Sequence, residues 1–370
     1  MNKIHGNRLR KLEALGQSLW LDYIERGLLA GGGMERLIRD DGISGVTSNP
    51  AIFEKAIAQH TGYDAAIAQL VRRGFDAQKI YEELAIEDVR RAADLLRGVY
   101  ETSRDGYVSL EVSPHLAYDT AATVAEAKRL WSRVERPNLM IKVPATVAGL
   151  PAIRQLIAAG INVNVTLLFG VARYRVVAES YLAGLEDRLA NGGAIDRIAS
   201  VASFFLSRID TLVDGLLDHD GRAQAQALRG WAAIACARLA YQEYQGLVRS
   251  ARWQALAAHG AHPQRLLWAS TSTKDPAYAD VKYVEALIGP DTVNTLPPET
   301  VTAYRDHGKP ELRLEQESDA ARALPGQLAE LGIELDAVSD ELEHQGVQKF
   351  IEPYERLLAT LARRTTELAG

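Results

Sequence analysis

"NLMIKVPAT", residues 138–146, sets one lysine inside an apolar run of strand length. Apolar side chains at consecutive positions describe a strand buried on both faces, the habit of parallel sheets covered by crossover helices. Lys142 at its centre is then either an ion-paired lysine or a working group at one end of such a sheet.

Seven further runs of the same kind lie on either side: "SLWLDYI" (18–24), "GISGVTSNP" (42–50), "YVSLEVSP" (107–114), "INVNVTLLF" (161–169), "IDRIASVASFF" (195–205), "RLLWASTS" (265–272) and "DTVNTLPP" (291–298). Segments of helical period separate them, among them "LAIEDVRRAADLLRGVYETS", "TVAEAKRLWSRVE" and "GVARYRVVAESYLAGLEDRLANG". Strand and helix alternate, which implies parallel strands, and eight such units suit a closed (β/α)8 TIM-type barrel better than an open doubly wound sheet. The spacing predicts two helical excursions, over 51–106 and 206–264. It also predicts that the tail from about 299 to 370, with its apolar residues at helical spacing, packs across the barrel as a closing helix. "LLAGGGMERL" reads as a loop opening the first crossover helix. No repeat, low-complexity stretch or proline-rich linker divides the chain, so residues 1–370 are expected to form one domain.

Composition narrows the function. The formal charge is -6 over 370 residues, without the basic excess that a nucleic-acid partner favours. No stretch reaches about 18 uncharged apolar residues, and the first residues are charged, so neither a membrane span nor a secretory leader is expected. The one cysteine, Cys236, sits in the apolar run "WAAIACARLA" and reads as a packing residue suited to a reducing cytoplasm. The eight histidines are scattered, with no HExxH, CxxC, GxGxxG or GxxxxGK[ST], so no metal or cofactor is expected.

In a (β/α)8 barrel the chemistry lies at the C-terminal strand ends. Those ends are polar here: Asp22; Thr47, Ser48 and Asn49; Glu111 and Ser113; Lys142; Asn164 and Thr166; Ser203; Ser270 and Ser272. Singly, Lys142 reads as a salt-bridged strand lysine, Asp22 and Glu111 as its counter-ions, and Asn49 before Pro50 as a turn former. Together they read differently. An amine in an apolar strand is desolvated and becomes a usable nucleophile, carboxylates beside it can move protons, and hydroxyl and amide groups can grip a polyol. That set suits imine chemistry on a sugar carbonyl.

"LWLDYIERGLLAGGGMERLIRDDGISGVTSNPAIFEKAI", "VSLEVSP", "NLMIKVPAT", "INVNVTLLF" and "ASVASFFLSRID" together resemble the transaldolase family, in its longer bacterial form, over essentially the whole chain. The resemblance implies an α/β barrel Schiff-base transferase of the pentose phosphate pathway, acting on sugar phosphates. It implies Lys142 as the imine-forming lysine and Asp22 as the acid/base of aldol cleavage. Glu111 and Thr166 would hold a proton-carrying water, while Asn49, Asn164 and Ser203 would bind the dihydroxyacetone unit. Arg208, in "FFLSRID", would bind the phosphate. Shorter family members have a serine and, two residues on, an arginine in the next motif; "WASTSTKDP" has Ser270, then Ser272, then Lys274. Ser270 carries over, and the second phosphate cation is Lys274 or is missing.

A rival within the same chemistry is a class I aldolase releasing free dihydroxyacetone, as fructose 6-phosphate aldolases do; their shorter chains lack the long excursions. A rival of another class is a barrel that has lost catalysis, which the presence of Lys142, Asp22 and Glu111 disfavours. Monomer and homodimer are both open.

Overall fold

The computed structural model describes residues 7–103 and 105–369. Eight parallel strands close into a barrel in chain order. They are β1 (Gln17–Leu21), β2 (Ile43–Val46), β3 (Tyr107–Glu111), β4 (Leu139–Pro144), β5 (Val163–Leu168), β6 (Ser200–Phe205), β7 (Arg265–Ala269) and β8 (Thr292–Leu296). The closure is β8 against β1, in register from Gln17↔Thr292 to Leu21↔Leu296. Every residue of β4, β5 and β6 is buried, because alternate side chains fill the barrel and the others lie under the helices.

The strands are shorter than the apolar runs that contain them, and one of them starts well inside its run. β6 begins at Ser200, not Ile195; residues 195–198 form a turn in which Ile198 N–H donates to the Ile195 carbonyl at 3.2 Å. Ile195 and Ile198 are buried all the same. Their apolar character reports burial, but the neighbouring β5 ladder offers its first partner only at Val163↔Ser200.

The N-terminal end of the barrel is plugged by Trp20, whose ring leaves no room for a side chain opposite: a Cβ on Gly45 would lie 2.5 Å from the indole. Trp20 Nε1–H donates to Asp105 at 2.7 Å, Ser44 Oγ–H to the same carboxylate at 2.9 Å, and Arg265 approaches it at 3.4 Å. A cavity of about 530 Å³ opens beneath this plug, between Arg97, Tyr107 and Arg265, and none of the strand-end residues reaches it. In barrels of this kind that end serves stability.

The excursion after β2 is built of helices Pro50–Gln59, Asp64–Arg72, Ala77–Leu95 and Arg97–Thr102, and the one after β6 of Leu206–Asp220, Ala223–Ala227, Ala232–Arg249 and Ala251–Ala257. Cys236 is buried in the third of the latter set, and burial pushes its thiol up to about 12, so packing is its role. The triple glycine, as its reading suggests, leads from the short helix Arg26–Ala30 into a helical stretch that opens at Gly33 and continues from Arg36 as a π-helix over Leu37–Asp41. The chain ends in helix Leu335–Ala369, which crosses the C-terminal face against β5 and against helices Pro50–Gln59, Ala77–Leu95 and Leu206–Asp220. Val347, Phe350, Tyr354, Leu357 and Leu361 form its buried stripe, at the three- and four-residue spacing of an apolar helix face. Among the described residues no helix is long and apolar enough to cross a membrane.

Candidate active site

Glu111, Lys142 and Asn164 are register partners on β3, β4 and β5, so their side chains stand in one row. Lys142 is 3% exposed. Its Nζ donates to the Ser48 carbonyl at 3.1 Å and lies 3.8 Å from the Glu111 carboxylate. Asn164 is locked from both sides: its Nδ2–H donates to Ser109 Oγ at 2.9 Å, and its Oδ1 accepts from Ser203 Oγ–H at 2.7 Å. Neither Glu111 oxygen and not the Thr166 hydroxyl has a hydrogen-bond partner, although all three atoms are buried. Such orphans are uncommon in a folded interior and cluster where function requires them.

The strand holding Thr166 is irregular just beyond it. Two residues, Thr166 and Leu167, lie between Val165 and Leu168 on β5 where β6 has only Ser203 between Ala202 and Phe204, a β-bulge, and Leu167 within it has φ +57°. A branched side chain in the left-handed region is strained, and bulges of this kind re-aim side chains beside active sites.

The end of β2 explains "TSNP". Thr47 Oγ1–H donates to Asp22 at 2.7 Å and Thr47 also bonds Thr295, Ser48 supplies the carbonyl for Lys142, and Asn49 Oδ1 accepts from Ile52 N–H to cap helix Pro50–Gln59. Asn49 is thus a turn former and a site residue at once, with Pro50 pre-set for the first helical position.

Asp22, Asn49, Lys142, Ser203, Arg208, Ser270, Ser272 and Lys274 all line one cavity of about 450 Å³ at the C-terminal mouth. Glu111, Asn164 and Thr166 do not line it: Glu111 and Asn164 flank Lys142 as register partners, Thr166 lies two residues further along β5, and Glu111 borders the small cavity on the other side, where Ser113 lies. Arg208, in the first turn of helix Leu206–Asp220, has one guanidinium nitrogen buried without a partner. Ser270 has φ +55°, and its Oγ bonds Ser207 Oγ at 2.8 Å. Lys274 is exposed and donates to Ser272 Oγ at 2.8 Å, so the two residues of the divergent motif reach the same cavity together. Ser113 does not: its N–H donates to Glu126 at 3.2 Å, and it borders a separate small cavity with Tyr81 and Tyr354. Strand alternation beyond the last ladder pair breaks down there, because a 3-10 turn begins at Pro114.

Burial dominates the electrostatics. It pushes the Glu111 carboxyl up to about 7 against the pull of Lys142, with Asp22 adding to the rise. Burial also raises Asp22 above the ordinary carboxyl range, opposed by Lys142 and the Thr47 hydrogen bond. Two carboxyl groups on either side of an amine, one of them near neutrality, are a general acid/base set.

Sequence reading passed over Lys55, Phe350, Thr295 and Glu299, which line the same cavity. Lys55 had a signal: with Ala51 and Ile52 it falls on one face of the helix capped by Asn49. Phe350 had none beyond its place in an apolar stripe.

The sequence model described as Transaldolase/Fructose-6-phosphate aldolase matches residues 19–361. Transaldolase 2 of Nostoc punctiforme is 51% identical over 368 residues, covering 96% of this chain and 97% of its own. The transaldolase of Thiobacillus denitrificans is 50% identical over 357 residues, with 96% and 99% covered, and that of Saccharopolyspora erythraea 49% over 359, with 96% and 97%. A barrel with an amine and two carboxyl groups at its mouth, matched over nearly all its length, belongs to the transaldolase/fructose-6-phosphate aldolase family.

Proposed function

We propose that the protein is a transaldolase, a transferase that moves a dihydroxyacetone unit from sedoheptulose 7-phosphate or fructose 6-phosphate to glyceraldehyde 3-phosphate or erythrose 4-phosphate. The observation that carries the chemistry is the buried Lys142 amine 3.8 Å from Glu111 at the floor of the mouth cavity. Transfer is favoured over release of free dihydroxyacetone because relatives about half identical over almost the full length carry the transaldolase name.

In the proposed mechanism Lys142 Nζ attacks the C2 carbonyl of the ketose phosphate. The carbinolamine loses water to give the iminium, its protons moving through a water held by Glu111 and Thr166, both of which have unpartnered buried oxygens. A carboxyl group near 7 can both give and take a proton at neutral pH. Asp22 then takes the C4 hydroxyl proton, the C3–C4 bond breaks, and the aldose phosphate leaves. The three-carbon fragment remains on Lys142 as an enamine. Asn49, Asn164 and Ser203 bind its hydroxyls, and Arg208 binds the phosphate, with Ser270 and Lys274 beside it. An acceptor aldehyde then takes up the fragment by the reverse steps. Residues 1–370 act as one catalytic domain in this reading, and the single buried thiol suits a reducing cytoplasm.

The test is borohydride trapping with fructose 6-phosphate, followed by peptide mapping, beside a product assay with and without erythrose 4-phosphate. The proposal expects the adduct on Lys142 and product formation that depends on the acceptor. An adduct on another lysine, or equal turnover without acceptor, would overturn it.

A further inference from the structure

Arg208 is an arginine without a counter-ion beside it. One of its nitrogens is buried and unpartnered, and its acidic neighbours Asp22 and Glu111 act on it only from a distance. Aromatic rings take the place of a carboxylate. The guanidinium carbon lies 5.4 Å from the centroid of the Phe205 ring and 5.9 Å from that of Phe350, and the two rings pack edge to face at 6.5 Å. Phe205 is local, three residues before Arg208. Phe350 comes from the closing helix at the far end of the chain.

The closing helix is seated so that Phe350 arrives there. One turn earlier, Gly346 rests on the bulged end of β5: a Cβ at 346 would be 3.0 Å from Leu167 Cδ2 and 3.4 Å from Phe169 Cζ. Phe169 in turn packs on Phe205 at 5.5 Å. Lys349, just before Phe350, is held below the ordinary lysine range by partial burial and by the positive charge of Arg208.

We propose that Phe350 is a positioning residue for Arg208. Its ring holds the guanidinium by a cation–π contact, fixing the plane without occupying any N–H donor. A carboxylate would hold it equally well but would compete with phosphate for the same bidentate face. The closing helix thereby sets the preference for phosphorylated sugars. This rests on the reading of Arg208 as the phosphate-binding residue.

An effect through Lys142 must be separated from this one, since Lys142 Nζ also lies 5.6 Å from the centroid of the Phe350 ring. The experiment follows borohydride-trapped adduct against concentration for fructose 6-phosphate and for dihydroxyacetone, in the full chain. Phe350→Leu, Phe350→Tyr and Arg208→Ala are compared, with the Phe350→Leu/Arg208→Ala double variant. Phe350→Leu is expected to raise half-saturating fructose 6-phosphate about 3- to 30-fold more than half-saturating dihydroxyacetone. Phe350→Tyr, which keeps the ring face, should restore the wild-type ratio to within about twofold, and Phe350→Leu should change the ratio by less than about twofold once Arg208 is Ala. Equal loss for both ligands, or an undiminished effect in the double variant, would overturn the proposal. If Arg208→Ala alone leaves the ratio unchanged, the phosphate reading of Arg208 falls and this inference with it; if Arg208→Ala shifts the ratio and Phe350→Leu does not, only the inference falls.

Discussion

Glu111 and Lys142 face each other as register partners on β3 and β4, with 3.8 Å between carboxylate and amine and both side chains 4% exposed. At that distance the pair is electrostatic, without a hydrogen bond, and leaves the carboxylate oxygens to another partner.

Glu111→Gln is expected to slow imine formation by about 10² to 10⁴, the usual loss for a positioned acid/base. Rapid-quench borohydride trapping against time measures it. A wild-type trapping rate would show that Glu111 only balances the charge of Lys142.

The same carboxyl group predicts a pH dependence of stability. Its folded-state value is raised from 4.5 to about 7, so on raising the pH the unfolded chain releases this proton first. Stability contributed by the protonated form is present below 4.5 and is lost as pH rises through 7. Asp22, raised in the same direction, adds to the slope from its own range. Urea unfolding between pH 4.5 and 8 should therefore give a shallower decline for Glu111→Gln than for wild type. Parallel curves would mean that burial does not raise this group.

Asp22→Ala should form the imine and fail to cleave C3–C4, because the C4 hydroxyl then has no base. Trapped adduct at near wild-type yield, with glyceraldehyde 3-phosphate release down by about 10² or more, is the expected pattern. Release at the wild-type rate would remove Asp22 from the cleavage step.

Lys274→Ala should weaken phosphorylated substrates less than Arg208→Ala does. Lys274 is exposed and already bonded to Ser272, and an exposed ammonium contributes about 1 kcal/mol or less, falling with salt. The ratio of KM values at low and high ionic strength separates the two. A larger effect from Lys274 would make it the main phosphate cation.

Asp105→Ala concerns the other end of the barrel and should act on stability alone. Removing it leaves the Trp20 N–H without its acceptor and Arg265, which keeps only its bond to Ser18 Oγ, without its counter-ion, a loss of about 2–4 kcal/mol. Thermal unfolding should show it, with KM and kcat of the folded enzyme unchanged. A change in KM would connect the plug to the site.

The amino-acid sequence by itself determined the barrel, because eight short apolar runs alternating with helical segments leave few other ways to bury both faces of every strand. It also determined the site's chemical inventory: Asp22, Asn49, Lys142, Ser203, Arg208 and Ser270 meet in one cavity because parallel strands of a closed barrel all end at the same mouth. Tertiary structure alone decided where periodicity carries no information. Ser113 leaves the mouth where the β3 ladder ends, and residues 195–198 turn for want of a ladder partner. Phe350 enters the site although its helical spacing says only that it is buried, since a stripe names a face and not what it covers. The value near 7 for Glu111 likewise belongs to the fold, because burial and the distances to Lys142 and Asp22 are summed only once all three strand ends are assembled.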